Sequence, residues 1–229
     1  MLAYLMRAAG PLLDDPGLFH GIVADLTAAG FAEEDLCWSQ SCMPPSRPEQ
    51  FALETIFVIC NSGMQNKVAR MIFEKVRGAI LEGRSAREEF GHPGKAGAID
   101  DIWARRDELM AGYLEADDKI AFCRTIPWIG GITCYHLAKN FGAQVAKPDV
   151  HLQRLAERHG TTCQDLCEVL AERTGFSVSS VDLILWRACA ERMIDGRTGL
   201  PPVRMPVKEP RITTHQHEMF QPVQQELFG

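Results

Sequence analysis

Apolar residues recur at helical spacing along most of the chain, and no segment alternates strictly between apolar and polar positions. A repeat of three to four residues predicts amphipathic helices, whereas a half-buried strand requires a repeat of two. Proline and glycine bound several of these segments, as expected of helix starts and stops. We therefore predict an all-α protein, with helices over residues 16–29, 49–60, 64–81, 99–114, 117–124, 133–140, 150–156, 164–173 and 183–193.

Three segments lack this pattern. Residues 35–48 are polar, contain prolines and include Trp38, so they are predicted to connect two helices. Residues 91–97 are rich in glycine but have no phosphate-loop signature, and they are predicted to be a linker. From Gly199 onward the chain is rich in proline, glutamine and scattered charge, which predicts a helical domain over 1–198 and a flexible tail over 199–229.

A proline–glycine hairpin separates two of the predicted helices. Residues 126–134 read Ile-Pro-Trp-Ile-Gly-Gly-Ile-Thr-Cys. Pro127 ends the first helix, because proline has no N–H group and disfavours a helical residue before it. Gly130 and Gly131 can take positive φ and let another backbone come close, and the amides up to Thr133 lie at a helix N-terminus. Such N–H groups favour a bound phosphate.

This hairpin, followed sixteen residues after Thr133 by Asp149 within Pro-Asp-Val-His, resembles the helix-hairpin-helix DNA glycosylases. Their hairpin typically reads Leu-Pro-Gly-Val-Gly-x-Lys-Thr-Ala, and their catalytic aspartate lies in Val-Asp-x-His. The resemblance covers residues 117–160 well and weakens outside them. It implies two small helical lobes with the active site between them, and removal of a damaged, mispaired or modified base flipped from duplex DNA.

The resemblance implies that Asp149 is catalytic, either stabilising an oxocarbenium ion on the sugar or activating water. Its position also suits an N-cap for the helix that begins at Val150, and capping alone would explain it. The two roles are compatible, because a helix N-terminus favours a negative charge.

Two hairpin positions depart from the family pattern. Trp128 replaces the first glycine, so the turn either places an indole beside the DNA or base pocket or differs in geometry. Ile132 replaces the lysine that forms a Schiff base in members that cut the strand, which implies a monofunctional glycosylase. Two alternatives remain: a glycosylase and lyase that uses Lys147 or Lys139, and a non-catalytic DNA-binding clamp adaptor.

Further residues are assigned to DNA by the same resemblance. Met64 and Gln65, with Asn61, lie between two helices and are available to fill the gap left by a flipped base. Asp182 equally suits a helix cap, and Trp38 and Trp186 equally suit packing in the core. The candidates for the base pocket are Trp38, Trp128, Asp182 and Trp186. The predicted DNA contacts are Trp128, Gly130, Gly131, Ile132, Thr133, Met64, Gln65, Lys147 and His151.

The formal net charge of −6 is unevenly distributed. Residues 61–87 and 119–160 each hold six bases against two acids, which predicts a DNA-facing side, although ordinary solvated helices have the same pattern. Eight scattered cysteines, none beyond Cys189, predict reduced thiols and no iron–sulfur cluster of the kind some family members carry. The only ion that the resemblance implies is a monovalent cation bound by hairpin carbonyls.

The tail contains two short motifs that resemble the bacterial sliding-clamp-binding peptide, within residues 216–220 and 224–228. In the second motif Gln224 is followed by Leu227 and Phe228, the pair expected to enter a clamp pocket. No apolar run reaches eighteen residues, so no membrane span or signal peptide is predicted. We expect a monomer in the bacterial cytoplasm, associated with the nucleoid.

Overall fold

The computed structural model describes residues 10–201, which form helices and no strand. The prediction of an all-α protein is confirmed for these residues. In chain order the helices are α1 (Pro11–Asp14), α2 (Pro16–Ala28), α3 (Ala32–Ser41), α4 (Pro48–Asn61), α5 (Asn66–Leu81), α6 (Pro93–Ala104), α7 (Arg106–Glu115), α8 (Lys119–Thr125), α9 (Thr133–Asn140), α10 (Val150–Arg158), α11 (Cys163–Thr174) and α12 (Val178–Ala190), with a 3-10 turn at Ala86–Glu88.

These helices belong to two compact units. The central unit runs from Cys42 to Ala143 and contains α4 to α9. The terminal unit combines residues 10–41 with residues 144–201, so it contains α1 to α3 and α10 to α12. None of the helices within residues 10–201 is long and apolar enough to cross a membrane.

Helix α12 organises the terminal unit, since it packs against α2, α3, α10 and α11. Its residues from Ser179 to Leu185 are all buried. Phe19 on α2 meets Phe176 edge-on, with ring centroids 5.5 Å apart. The core around these rings is mostly aliphatic and includes Leu12, Leu26, Leu152, Leu155, Leu166, Leu170, Val181, Ile184 and Leu185.

Helix α3 corrects the prediction of a connector over residues 35–48, which is wrong as far as Ser41. The buried side of α3 is largely polar, because it carries Asp35 and Ser39 beside Trp38. The Arg187 guanidinium donates two hydrogen bonds to Asp35, at 2.8 and 3.0 Å. A helix whose inward side is held by such bonds shows no apolar repeat, so the sequence pattern does not mark it.

Helix α4 is the buried centre of the central unit, as its apolar sequence predicts. Every residue from Phe51 to Cys60 is buried, and the helix packs against α5, α6, α7 and α9. Phe51 stacks on Phe141 at 5.1 Å between centroids, and Tyr113 meets Phe141 edge-on at 4.9 Å. These aromatic contacts fix the end of α9 against α4 and α7.

Glu54 is a carboxyl group in the core of the central unit, 5% exposed. It accepts a hydrogen bond from the Asn140 side chain at 2.5 Å. Burial raises the pKa of Glu54 to about 7, although the Asn140 amide and the Arg70 guanidinium act in the opposite direction. Burial likewise raises the pKa of the Cys42 thiol to about 12, and the charge of Glu54 adds to this effect.

Helices α6 and α7 replace the single helix predicted over 99–114, and α6 begins inside the predicted linker over 91–97. His92 is the N-cap of α6, where its Nδ1 accepts the Lys95 N–H at 3.3 Å, and Pro93 occupies the first turn. The chain leaves helical geometry at Arg105. A proline in a first turn marks the start of a helix. The glycines around Pro93 led instead to the prediction of a linker.

His159 connects distant parts of the terminal unit. Its Nε2 accepts the Leu12 N–H at 3.3 Å, and its Nδ1 lies 2.6 Å from the Leu155 carbonyl oxygen. Gly10 and Gly199 both approach the ring so closely that a Cβ on either would press against it. Burial lowers the pKa of His159, and the neutral ring satisfies both hydrogen bonds.

Candidate functional site

The hairpin begins with a four-residue turn after α8. The Ile129 N–H donates to the Ile126 carbonyl at 3.1 Å, and Pro127 and Trp128 occupy the two middle positions. Trp128 has a φ of 65°, whereas neither Gly130 nor Gly131 has positive φ. Proline followed by a residue of positive φ is the arrangement of a type II turn, whose third position favours glycine.

Buried anchors flank Trp128. Ile126 and Ile129 are 2% and 5% exposed, whereas Trp128 is 47% exposed. The Trp128 ring meets the His92 ring nearly perpendicularly, with centroids 4.9 Å apart. A Cβ on Gly94 would lie 2.5 Å from Trp128 Cζ2, so the indole lies directly over that glycine. Sequence reasoning missed both His92 and Gly94, and only the N-terminal signal of α6 at His92-Pro93 pointed toward them.

The start of α9 leaves several backbone amides available. Thr133 Oγ1 accepts the Gly130 N–H at 2.7 Å, and the Gly130 carbonyl accepts the Cys134 N–H at 3.0 Å. Within residues 10–201, no acceptor is found for the N–H groups of Gly131, Ile132 and Thr133. Unpaired N–H groups at a helix N-terminus suit a phosphate or another anion.

Asp149 caps α10 in the terminal unit. Its Oδ1 accepts the N–H groups of His151 and Leu152 at 3.0 and 3.1 Å, while Oδ2 makes no hydrogen bond to a residue within 10–201. Asp149 is half-buried, as is His151. The predicted cap is confirmed. One carboxylate oxygen thus fixes the side chain at the start of α10.

The loop before Asp149 is fixed by two other helices. The Lys147 N–H donates to Asp182 Oδ1 at 2.8 Å, and the Ala146 N–H donates to Gln164 Oε1 at 2.8 Å. The Asp149 N–H closes a three-residue turn onto the Lys147 carbonyl at 2.8 Å. Asp182 is 3% exposed and lies inside α12, whose N-cap is Ser177, so the reading of Asp182 as a cap is wrong. Asp182 instead positions the loop that carries Asp149.

Two buried thiols lie close enough to Asp149 to be affected by its charge. Burial raises the pKa of Cys163 to about 11 and that of Cys189 to about 12, and the Asp149 charge contributes to both increases. Thiols with such pKa values are weak nucleophiles and weak metal ligands. No group of three His, Cys, Asp or Glu side chains in the described part of the chain forms a metal site.

The predicted pocket residues fall into both units. Trp38 on α3 and Trp186 on α12 belong to the terminal unit with Asp182, and α3 packs against α12. Trp38 is only 8% exposed, which is the exposure of a core residue. Trp186 is half-buried, with the Arg187 guanidinium 5.1 Å from its ring. Trp128 belongs to the central unit.

The predicted wedge residues lie in the turn between α4 and α5. Gly63 has a φ of 75°, Met64 is half-buried and Gln65 is an exposed N-cap of α5. Lys95 donates from Nζ to the Ser62 carbonyl at 2.6 Å. Lys95 is 7% exposed, and burial lowers its pKa. It is a further residue that sequence reasoning missed, and it ties this turn to α6.

The basic stretches are less positive than their composition indicates. Within 61–87, Arg77 pairs with Glu74, and Arg84 pairs with Glu82 and Glu88. The stretch over 119–160 is divided, because the central unit ends at Ala143. Exposed Arg124, in the last turn of α8, makes no ion pair with any residue within 10–201. The clamp residues Gln224, Leu227 and Phe228 lie outside the described residues.

Comparison with known proteins finds no family model that matches this chain, no curated protein that matches its sequence and no solved structure that matches its fold. The resemblance to the glycosylases therefore depends on the hairpin residues and Asp149.

Proposed function

We propose that this protein is a DNA glycosylase, which hydrolyses the N-glycosidic bond of a damaged, mispaired or modified base flipped from duplex DNA. The observation that carries the proposal is the arrangement of Asp149. One oxygen of its carboxylate is fixed by two backbone N–H groups, and the other makes no hydrogen bond within residues 10–201. A fixed anion with a free oxygen suits a reaction in which positive charge develops on the sugar.

The reaction needs only water and this carboxylate. As the bond between C1′ and the base nitrogen breaks, the base leaves with the bonding electrons, and Asp149 stabilises the cationic sugar or accepts a proton from the attacking water. The products are the free base, protonated at the released nitrogen, and an abasic sugar with a hydroxyl at C1′. The hairpin amides from Gly131 to Thr133 bind a backbone phosphate and position the strand.

The environment of the lysines supports a monofunctional enzyme. Ile132, 42% exposed, occupies the position at which strand-cutting members of the similar family have a lysine. Lys139, one alternative amine, is 6% exposed. Lys147, the other, has its backbone held by Asp182 and is half-buried. A Schiff base requires an amine that reaches C1′, and a buried lysine reaches it less readily than an exposed one.

The test is base release from duplexes that each contain one lesion: an alkylpurine, uracil, a thymine mismatch, 8-oxoguanine or hypoxanthine. The abasic product breaks in hot alkali, so nicks that require alkali report base removal. Wild type should release one or more of these bases. Asp149→Asn should reduce the rate by about 10² to 10⁴, because it keeps the cap and removes the negative charge.

The matched control is Asp15→Asn, because Asp15 caps α2 in the same unit through the Gly17 N–H at 2.9 Å. This variant should retain the wild-type rate. Nicks without alkali would show lyase activity and contradict the inference from Ile132. Binding without release from any duplex would favour the clamp adaptor instead.

A further inference from the structure

Trp128 is held in a backbone conformation that bulky residues rarely adopt. Its φ of 65° occurs at the turn position where glycine is usual. Ile126 and Ile129, both buried, fix the two sides of the turn. Strained residues persist when surrounding packing determines them, and they concentrate at functional sites. A tryptophan at this strained position therefore indicates a function for its side chain.

The indole is supported on one side and open to solvent elsewhere. It contacts the ring of His92 and lies over Gly94, where there is no side chain to displace it. The His92 ring is itself fixed, because its Nδ1 accepts the Lys95 N–H. With 47% of the residue exposed, Trp128 presents a rigid aromatic surface.

The groups next to Trp128 in the chain favour an anion. The N–H groups of Gly131, Ile132 and Thr133, which have no acceptor within residues 10–201, follow it. The exposed guanidinium of Arg124 precedes it. A phosphate suits these donors, whereas a flat aromatic surface suits a nucleobase. A nucleic-acid strand supplies both groups at neighbouring positions. An intact duplex does not, since its bases are already stacked on one another.

We propose that Trp128 is a stacking platform for an unstacked nucleobase, next to the phosphate bound by the hairpin. The hairpin then prefers DNA that has a missing or unpaired base over intact duplex. This inference rests on the proposed function for its choice of DNA as partner, but it does not require base removal.

The experiment measures dissociation constants by fluorescence anisotropy for two duplexes, one intact and one containing a tetrahydrofuran abasic analogue. All variants also carry Asp149→Asn, so that cleavage does not deplete the DNA. Trp128→Gly and Trp128→Leu should weaken binding to the abasic duplex roughly 5- to 30-fold, the range expected for loss of one aromatic stacking contact, and binding to intact duplex less than about 2-fold. Trp128→Phe should stay within about 3-fold, because it retains an aromatic face.

A second readout is the fluorescence of 2-aminopurine opposite the abasic analogue. The protein should quench it by stacking, and Trp128→Leu should abolish the quenching while retaining apolar bulk. Trp103→Leu is the tryptophan control, since Trp103 lies on α6 of the same unit beside Arg106 and should leave both readouts unchanged. Trp128→Gly is expected to fold, because glycine tolerates positive φ; thermal unfolding checks this.

If the Trp128→Gly and Trp128→Leu variants lost affinity equally for both duplexes, or lost none, the proposed stacking role of Trp128 would be wrong. If the wild type also releases a base from the lesion duplexes, the proposed function survives that result. Conversely, the protein could prefer the abasic duplex in a Trp128-dependent way and yet release no base. That result would support the stacking role of Trp128 and refute the proposed glycosylase function. A protein with no affinity for either duplex would refute both.

Discussion

Each unit buries a carboxyl group in its core, and the two groups are stabilised in opposite ways. Asp35 in the terminal unit accepts two hydrogen bonds from the Arg187 guanidinium, so its negative charge is compensated. Glu54 in the central unit has the neutral amide of Asn140 as its hydrogen-bond donor, and its pKa rises to about 7. In these two cores a buried carboxyl group is thus accommodated in one unit as half of an ion pair and in the other by a pKa raised to about 7.

The units also differ in overall charge. Within residues 10–201 the terminal unit has seven lysines and arginines against fourteen acids, whereas the central unit has thirteen of each. The hairpin therefore belongs to the neutral unit and Asp149 to the acidic one. Affinity for a phosphate then depends on local donors such as the hairpin amides and Arg124, and not on a positive field over a whole unit.

The largest effect is expected at the ion pair of the terminal unit. Asp35→Asn removes the carboxylate that accepts two hydrogen bonds from the buried Arg187 guanidinium and leaves the longer pair with Glu191, at 3.7 Å. It should lower the free energy of unfolding by about 3–5 kcal/mol. Urea unfolding monitored by circular dichroism measures this change. Replacing both partners, as Asp35→Leu with Arg187→Met, should recover most of the loss, because the buried guanidinium is removed together with Asp35. A loss below about 1 kcal/mol for Asp35→Asn would show that the pair is hydrated.

The pH dependence of stability should identify the protonated acid of the central unit. Between pH 4.5 and about 7, the folded protein retains a proton on Glu54 that the unfolded chain has lost. The free energy of unfolding should therefore fall as pH rises through this window, by about 3 kcal/mol in total. Denaturant unfolding at pH 5 and pH 8 measures the change.

Glu54→Gln provides the control for this pH dependence, because Gln still accepts the Asn140 hydrogen bond and does not titrate. The variant should lose this component of the pH dependence, and its stability should exceed that of wild type at pH 8. Identical pH profiles for the two proteins would contradict the raised pKa of Glu54.

A smaller effect is expected at Gly10 in the terminal unit. A Cβ there would lie 2.7 Å from His159 Nε2, so Gly10→Ala should force the ring to move and reduce stability by about 1–3 kcal/mol. Gly21→Ala on α2 is the matched control, since no atom lies within 4 Å of its added Cβ. It should stabilise the protein by roughly 0.5–1 kcal/mol, because alanine is the better helix former. Melting temperatures of the two variants should differ from wild type in opposite directions.

Apolar periodicity predicted the helices whose inward sides are apolar. It gave α9 and α4 nearly to the residue, and the capping residue Asp149 is where the sequence placed it. Periodicity failed for α3, whose inward side carries Asp35 and Ser39. The partners of these groups, Arg187 and Ser180, lie more than 140 residues away in the chain, so no local pattern reveals them.

The candidate site was predictable where one residue carries the signal. Asp149 and the hairpin position were found in this way, whereas the role of Asp182 as acceptor for the Lys147 N–H depends on how α12 packs. The conformation of Trp128 could not be predicted from propensity, because propensity assigns positive φ to the glycines that follow it. The choice is made by the burial of Ile126 and Ile129, which is a tertiary effect.

The contacts of His159 indicate that the chain can be circularly permuted. Gly10 and Gly199 both lie against its imidazole ring, so two positions almost two hundred residues apart in sequence are neighbours in space. A short linker could join Gly10 to Gly199, and the new N- and C-termini could then be placed in another surface loop. The terminal unit, assembled here from two separate stretches, would in such a circular permutant be encoded by one continuous segment.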